Sequence, residues 1–243
     1  MEAKIALGTL KVALDAISAF VDECRIHVQG SGLRTIAVDT ANVAMVELEL
    51  STNAFISYGW SGPQEIGLDV RKLKRILTMA NSGDEIELAV DQGDLKVQFR
   101  GYKYSLRLLD VNTIRKDPNP PALKLPARAV MSGSVFTAGI KAASIVSDKV
   151  ALGIDPASKE FYMEAQGDTD HLAIRVPESD LVALDAVKAR SLFSLDYLRD
   201  MAGVIAHATE VGVELGVDHP VTLAFKVADD TGTVKYLLAP RIF

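Results

Sequence analysis

The chain is written twice. Gly8-Thr9 and the short amphipathic stretch behind it return as Gly133-Ser134 and a second such stretch, an offset of 125 residues. The same offset carries Asp69-Val70-Arg71-Lys72-Leu73 onto Ser194-Leu195-Asp196-Tyr197-Leu198, and Glu85-Ile86-Glu87-Leu88 onto Glu210-Val211-Gly212-Val213. After a one-residue slip, Leu95, Val97 and Phe99 fall on Val221, Leu223 and Phe225. A period this long marks a duplicated domain rather than a solenoid of small repeats. The match lies in pattern more than in identity, so each half must solve the same packing problem with different side chains.

Four segments carry helical periodicity. Leu10, Ala13, Leu14, Ile17, Phe20 and Val21 form one apolar face behind Thr9 as N-cap, with Lys11, Asp15 and Ser18 opposite. The second helix starts at Asp69 and buries Val70, Leu73, Ile76 and Leu77; the third runs from about Ser134 to Ser147 with Phe136, Ile140, Ala143 and Val146 inward. The fourth runs from Asp196 to about Ala206 with Leu198, Met201, Ala202 and Ile205 inward. Between them the period drops to two, as in Ile26/Val28, Ile36/Val38, Val46/Leu48 and Ile86/Leu88/Val90. Turn signals such as Gly30-Ser31-Gly32, Gln92-Gly93-Asp94 and Asp229-Asp230-Thr231-Gly232 separate these strands. Many hairpins with few helices predict an α+β fold and exclude a doubly wound parallel sheet. From Asp110 to Pro126 the pattern breaks around Pro118, Pro120, Pro121 and Pro126, so residues 110–126 read as a linker between domains at 1–109 and 127–243. Ile114, Leu123 and Leu125 make that linker more apolar than a spacer requires.

Chemistry is sparse. The histidines at 27, 171, 207 and 219 show no metal-ligand spacing, and no phosphate-loop or nucleophile-elbow motif occurs. No catalytic residue, cofactor or metal is expected. Cys24 is the single cysteine, so an internal disulfide is excluded and a buried thiol in a reducing compartment is expected. No stretch approaches the roughly twenty apolar residues of a spanning helix, and the start of the sequence, Met1-Glu2-Ala3-Lys4, has no signal-peptide core. A net charge of −6 argues against a protein coated in positive charge for nucleic acid. Positive charge is nevertheless concentrated: Arg71, Lys72, Lys74 and Arg75 crowd the second helix opposite its apolar stripe. Taken alone this is a solvated helix face. If the duplicated units place their helices on one side of a sheet, Lys11, Lys141 and Arg199 can join the cluster in a surface that binds phosphates without reading sequence.

These residues resemble the sliding clamps of DNA replication, of the archaeal and eukaryotic type known as proliferating cell nuclear antigen. The most specific element is Lys235-Tyr236-Leu237-Leu238-Ala239-Pro240-Arg241-Ile242 at the carboxyl end. It is joined by Ser31-Gly32-Leu33 leading to Val38-Asp39-Thr40-Ala41-Asn42-Val43, by Leu73-Lys74-Arg75-Ile76-Leu77, and by Leu108-Leu109-Asp110. The resemblance spans essentially the whole chain. It implies a homotrimer of two-domain subunits, a pseudo-six-fold ring with helices inside and sheets outside, encircling double-stranded DNA as a polymerase processivity factor. It implies DNA-facing Lys11, Arg71, Lys72, Arg75, Lys141 and Arg199, uneven because Asp196 and Asp200 share the fourth helix. It implies a pocket for short peptide motifs of DNA polymerase, clamp loader, flap nuclease and DNA ligase, at Val38, Asn42, Met45, Ile114, Pro220, Leu238, Ala239 and Pro240. Subunit contacts are implied at Tyr102, Tyr104, Leu106 and Arg107 on one edge and His171, Leu172, Ile174 and Arg175 on the other. The location implied is the cytoplasm, at the nucleoid, in an archaeon, or the nucleus in a eukaryote. Phe243 departs from the acidic ending common in relatives and is unexplained.

Three alternatives stay open on residues alone. One is a subunit of a heterotrimeric clamp, which would remain monomeric in isolation. Another is a duplicated α+β enzyme with a site between its halves, which would need convergent titratable groups. The third is a single-strand binder, against which 6% aromatic residues speak.

Overall fold

The computed structural model describes residues 1–241; Phe243, with the question attached to it, and Ile242 lie outside the described residues. The first half runs β1 (Glu2–Ala6), α1 (Leu7–Ser18), β2 (Glu23–Gln29), β3 (Gly32–Val38), β4 (Ala44–Ser51), β5 (Ser57–Gly59), β6 (Gln64–Asp69), α2 (Val70–Leu77), β7 (Glu85–Asp91), β8 (Asp94–Phe99) and β9 (Tyr102–Arg107). The second runs β10 (Ala127–Ser132), α3 (Gly133–Val146), β11 (Lys149–Asp155), β12 (Glu160–Gln166), β13 (His171–Pro177), β14 (Ala183–Asp185), β15 (Ala189–Ser194), α4 (Leu195–Ile205), β16 (Glu210–Leu215), β17 (Val221–Val227) and β18 (Gly232–Leu238). The order is the same twice, down to a short 3₁₀ turn after β4 and after β13.

Among the described residues two compact units form: Met1–Asp39, Val46–Asn119 and Val227–Val234 in one, Thr40–Met45, Pro120–Lys226 and the residues from Lys235 in the other. In unit 1 a sheet β5-β1-β7-β8-β9 and the strands β4-β3-β2-β6 enclose a core with α1 and α2. In unit 2 the equivalent strands run β14-β10-β16-β17-β18 and β13-β12-β11-β15, with α3 against α4. The neighbours of each strand correspond one for one. The repeat also keeps register: Arg25 lies opposite Gly67 and His27 opposite Glu65, as Ala151 lies opposite Leu192 and Gly153 opposite Arg190. β18 and β4 are hydrogen-bonded neighbours, whereas β9 and β13 end their sheets.

The core of unit 1 is mainly aliphatic, and that of unit 2 adds several phenylalanines. Ile5, Ile17, Leu73, Leu77 and Ile86 fill unit 1, and Phe136, Ile140, Leu152, Phe161 and Phe193 fill unit 2, all under 2% exposed or at that limit. Helix starts differ from expectation. α1 begins at Leu7 with no side-chain cap, because its N-cap residue is Ala6, which has no side-chain acceptor; the Leu7 N–H donates instead to Asp84 O at 2.9 Å, and Thr9 is inside the helix. Phe20 and Val21 lie beyond its end. α3 is capped by Ser132, whose hydroxyl accepts from Val135 N–H, rather than starting at Ser134. Asp69 caps α2 as expected, accepting from Lys72 N–H at 2.8 Å. Ile76 and Val146 are only half-buried.

Candidate functional site

The cations expected to face DNA sit on the four helices, but neighbouring acids reach many of them. α1 packs on α2, and Lys74 Nζ bridges the two through Asp15 at 2.7 Å and Ser18 Oγ at 2.7 Å. Arg71 pairs with Asp22, and Lys72 with Asp69 at 3.4 Å. On α4, Arg199 is held by Asp196 at 2.7 Å. Beside it, burial pushes the Asp200 carboxyl up, with Arg199 acting to lower it and Asp196 to raise it. Lys11, Arg75 and Lys141 are exposed and carry no ion pair among the described residues. An exposed pair is weak, so the paired cations keep most of their field but must exchange partners to meet a phosphate. Sequence reasoning saw the basic cluster and missed this pairing, because Asp22 and Asp15 come from α1 and the turn after it.

The residues assigned to peptide binding fall in several places. Asn42 is exposed in a left-handed conformation at φ 58°, which asparagine tolerates better than most residues. In unit 2, Ala239 N–H donates to Val43 O at 2.9 Å, bringing the loop that carries Asn42 and Met45 beside Leu238, Ala239 and Pro240. Ala239, Pro240 and Pro220 are half-buried, while Met45 and Leu238 are closed off from solvent. In unit 1, Val38 is half-buried and Ile114 is 6% exposed.

Ile114 is buried because the linker lies on the unit 1 sheet. Arg25, braced by Glu65 at 2.7 Å, donates from Nη2 to Ile114 O at 3.0 Å and from Nε to Arg115 O at 3.1 Å. Arg115 Nη1 donates to Asp39 O at 2.6 Å, and Asp117 Oδ2 meets His27 Nε2 at 2.6 Å. Gly67 makes the approach possible: a Cβ there would come within 2.6 Å of Ile114 Cδ1 and also strike Leu109 O. Nothing in the linker sequence announced Arg25 as its anchor, since the two are about ninety residues apart.

On the edges, Tyr102 is 46% exposed on β9, Tyr104 half-buried and Leu106 buried. Phe99, Tyr102 and Tyr104 form a run of rings with centroids 5.5 to 6.3 Å apart. Arg107 pairs with Asp94 at 3.1 Å. On β13, His171 and Arg175 point to one face, Leu172 and Ile174 to the other. Arg175 lies over the Tyr162 ring at 4.7 Å and pairs with Glu164 at 2.7 Å.

Among the described residues, no group of three acidic, histidine or cysteine side chains is placed to hold a metal. The Cys24 thiol is buried and pushed up to about 12 by that burial, far from a nucleophile. Among the described residues no helix is long and apolar enough to cross a membrane.

Comparison with known proteins adds the family. The model of the proliferating cell nuclear antigen N-terminal domain matches residues 1–112. The chain is 52% identical to the DNA polymerase sliding clamp of Methanoculleus marisnigri, over 100% of this chain and 98% of that protein. The chain belongs to the proliferating cell nuclear antigen family of sliding clamps. Another clamp, from Methanosphaerula palustris, is 51% identical over the same shares. The structure of A. fulgidus PCNA with the C-terminal region of FEN-1 bound superposes with a TM-score of 0.95 at 36% identity, covering 100% of this chain and 98% of that one. The chain therefore has the α+β clamp fold, and its function is that of a DNA sliding clamp. Sliding clamps are non-enzymatic processivity factors, so the duplicated-enzyme reading is set aside.

Proposed function

We propose that three copies of this chain close into a homotrimeric ring around duplex DNA, holding a DNA polymerase on its template and tethering other replication and repair enzymes. The observation that supports this reading is that two strands at sheet ends have repeat equivalents that pair with each other. β9 is the repeat equivalent of β18, and β13 of β4; β18 and β4 are neighbours, while β9 and β13 end their sheets. A second copy offering β13 to β9 repeats a pairing the chain already makes. Such a contact is heterologous, so it closes into a ring when the rotation per copy allows. Tyr102, Tyr104, Leu106 and Arg107 would then meet His171, Leu172, Ile174 and Arg175.

The ring reading also accounts for the charge. Enclosure holds the clamp on DNA without tight binding, so Lys11, Arg71, Lys72, Arg75, Lys141 and Arg199 need only weak, sequence-independent phosphate contacts inside an acidic whole. Peptides of a polymerase, clamp loader, flap nuclease and ligase would dock at Val38, Asn42, Met45, Ile114, Pro220, Leu238, Ala239 and Pro240. The FEN-1 segment bound to the A. fulgidus clamp supports that class of partner. Burial of Met45, Ile114 and Leu238 implies that the loop and linker shift to admit aromatic anchors. The protein would act in the cytoplasm at the nucleoid.

Light scattering across a dilution series tests the assembly. A mass three times the 26.2 kDa chain is expected. A chain that stays monomeric at high concentration supports a heterotrimeric clamp instead and overturns the homotrimer.

A further inference from the structure

Two faces that the duplication makes equivalent are covered differently. In unit 1, the chain leaving β9 crosses the side of β2 and β6 turned away from the core. Leu109 N–H donates to Gly67 O at 2.9 Å, and the braced Arg25 guanidinium then grips two successive carbonyls. In unit 2, the chain leaving β18 sets out the same way. Arg241 N–H donates to Leu192 O at 2.7 Å, at the repeat partner of Gly67, and its guanidinium pairs with Asp148 at 2.7 Å. Among the described residues the unit 2 face beside it forms a concavity of about 690 Å³, floored by Ala151 and Leu192 and flanked by Glu164 and Arg190.

The open face has the same kind of anchor as the covered one. Arg190 projects beside β11 with Glu164 at 4.0 Å, as Arg25 stands on β2 with Glu65 at 2.7 Å. Arg25 spends its donors on linker carbonyls; the Arg190 guanidinium donates to no carbonyl among the described residues. Ala151 stands where unit 1 has Arg25, so space replaces a side chain in the middle of the face. A volume of this size suits a few residues of extended chain.

We propose that this groove takes an extended segment of a partner protein, its carbonyls on Arg190 and a small aliphatic side chain over Ala151 and Leu192. The proposal rests on the reading that partner motifs dock at Ala239 and Pro240. Arg241 follows those residues directly and leads onto the groove, so the segment is the flank of the docked motif. Each clamp-binding protein would then be ranked by residues outside its motif as well as within it.

The test uses the intact chain and three fluorescein-labelled peptides: a short motif from the C-terminal region of FEN-1, the segment bound to the A. fulgidus clamp, and the same motif lengthened at either end by alternating valine and serine. Fluorescence anisotropy should show one lengthened peptide binding about tenfold tighter than the short one. Arg190→Ala and Ala151→Arg should cancel that gain and leave the short peptide unchanged. Arg190 is half-exposed, so its variant keeps the test sound if Ala151→Arg misfolds. Equal affinity for all three peptides, or a gain that survives Arg190→Ala, overturns the proposal. A gain seen only after removal of Ile242 and Phe243 assigns the groove to the chain's own end and also overturns it. Failure of the short peptide to bind overturns the underlying motif reading itself.

Discussion

The two units have the same strand order and register, yet equivalent positions have different partners. Phe99 and Phe225 are repeat equivalents, and each has a tyrosine of the following strand beside it: Tyr104 at 6.0 Å and Tyr236 at 5.6 Å. Tyr236 is fully buried on a strand that has β4 beyond it, whereas Tyr104 is half-buried on a strand at the end of its sheet. One architecture, used twice in a chain, thus places β18 and β4 side by side and leaves their equivalents β9 and β13 at the ends of their sheets, which is why the proposed assembly joins those two. The largest expected effect separates these tyrosines. Tyr236→Ala should cost about 3–5 kcal/mol of folding stability, as large-to-small changes of buried aromatics do. Tyr104→Ala should barely move the chain's own unfolding midpoint and should lower the assembled mass. A denaturant melt and light scattering read the two arms; an unchanged trimer mass for Tyr104→Ala at micromolar concentration removes β9 from the interface.

The repeat glycines sharpen the comparison. Gly8 and Gly133 mark the duplication in the sequence, but a Cβ on Gly8 meets nothing within 4 Å, while one on Gly133 comes within 2.5 Å of Ala208 O and also overlaps Ile205 O. The second glycine is required by the close passage of α3 over the end of α4; the first is a remnant of the pattern. Gly133→Ala should destabilise by about 1–3 kcal/mol, and Gly8→Ala should be neutral or stabilising by up to about 1 kcal/mol. Equal and opposite thermal shifts are not needed; a loss at Gly8 comparable to that at Gly133 would contradict the open space around it.

These glycines also indicate what could be read before the structure. Duplication, helix faces and hairpins were legible because they are local periodicities or fixed offsets, and each survives side-chain substitution. Pairing of β18 with β4 was not legible, since strands nearly two hundred residues apart give no local sign of adjacency. The Thr9 cap failed because α1 starts at Leu7 behind Ala6, which has no side-chain acceptor; Asp84, from the turn before β7, accepts from the Leu7 N–H instead. Among functional residues, the basic cluster of α2 was visible and its neutralisation by Asp22 and Asp15 was not. Arg25 escaped notice altogether, because an arginine alternating along a strand looks like any solvated residue until the linker is folded onto it.

Cation pairing yields a smaller effect that again divides the units. Arg75 has no acidic partner among the described residues, whereas Arg199 is held by Asp196 at 2.7 Å. Arg75→Ala should weaken binding to duplex DNA and reduce the slope of log affinity against log salt by about one. Arg199→Ala should change the slope less, because its guanidinium gives up a carboxylate before reaching a phosphate. Salt titrations of DNA affinity for the two variants decide the point; identical slopes would mean that the ion pair opens freely and that the units contribute alike.

Acid should separate the units least. Asp94 accepts from Ser105 Oγ at 2.8 Å and from Lys96 Nζ at 3.0 Å, with Arg107 nearby, and these hold its carboxyl below the usual 3.8. Asp148 is held below the same value chiefly by the Arg241 hydrogen bond. A carboxyl depressed in the fold contributes fully above its unfolded-chain value and loses that contribution as pH falls through the folded one. Acidification below about pH 4 should therefore loosen the β8–β9 hairpin in unit 1 and the Arg241 contact in unit 2. Hydrogen exchange read on β9 between neutral pH and pH 3 checks the first. Asp94→Asn should remove its acid dependence without touching the residues around Arg241, and Asp148→Asn should do the reverse. If β9 is the strand offered to a second copy, as proposed, an acid-loosened β9 would also lower the trimer mass, whereas loosening at Asp148 alone would leave the ring intact.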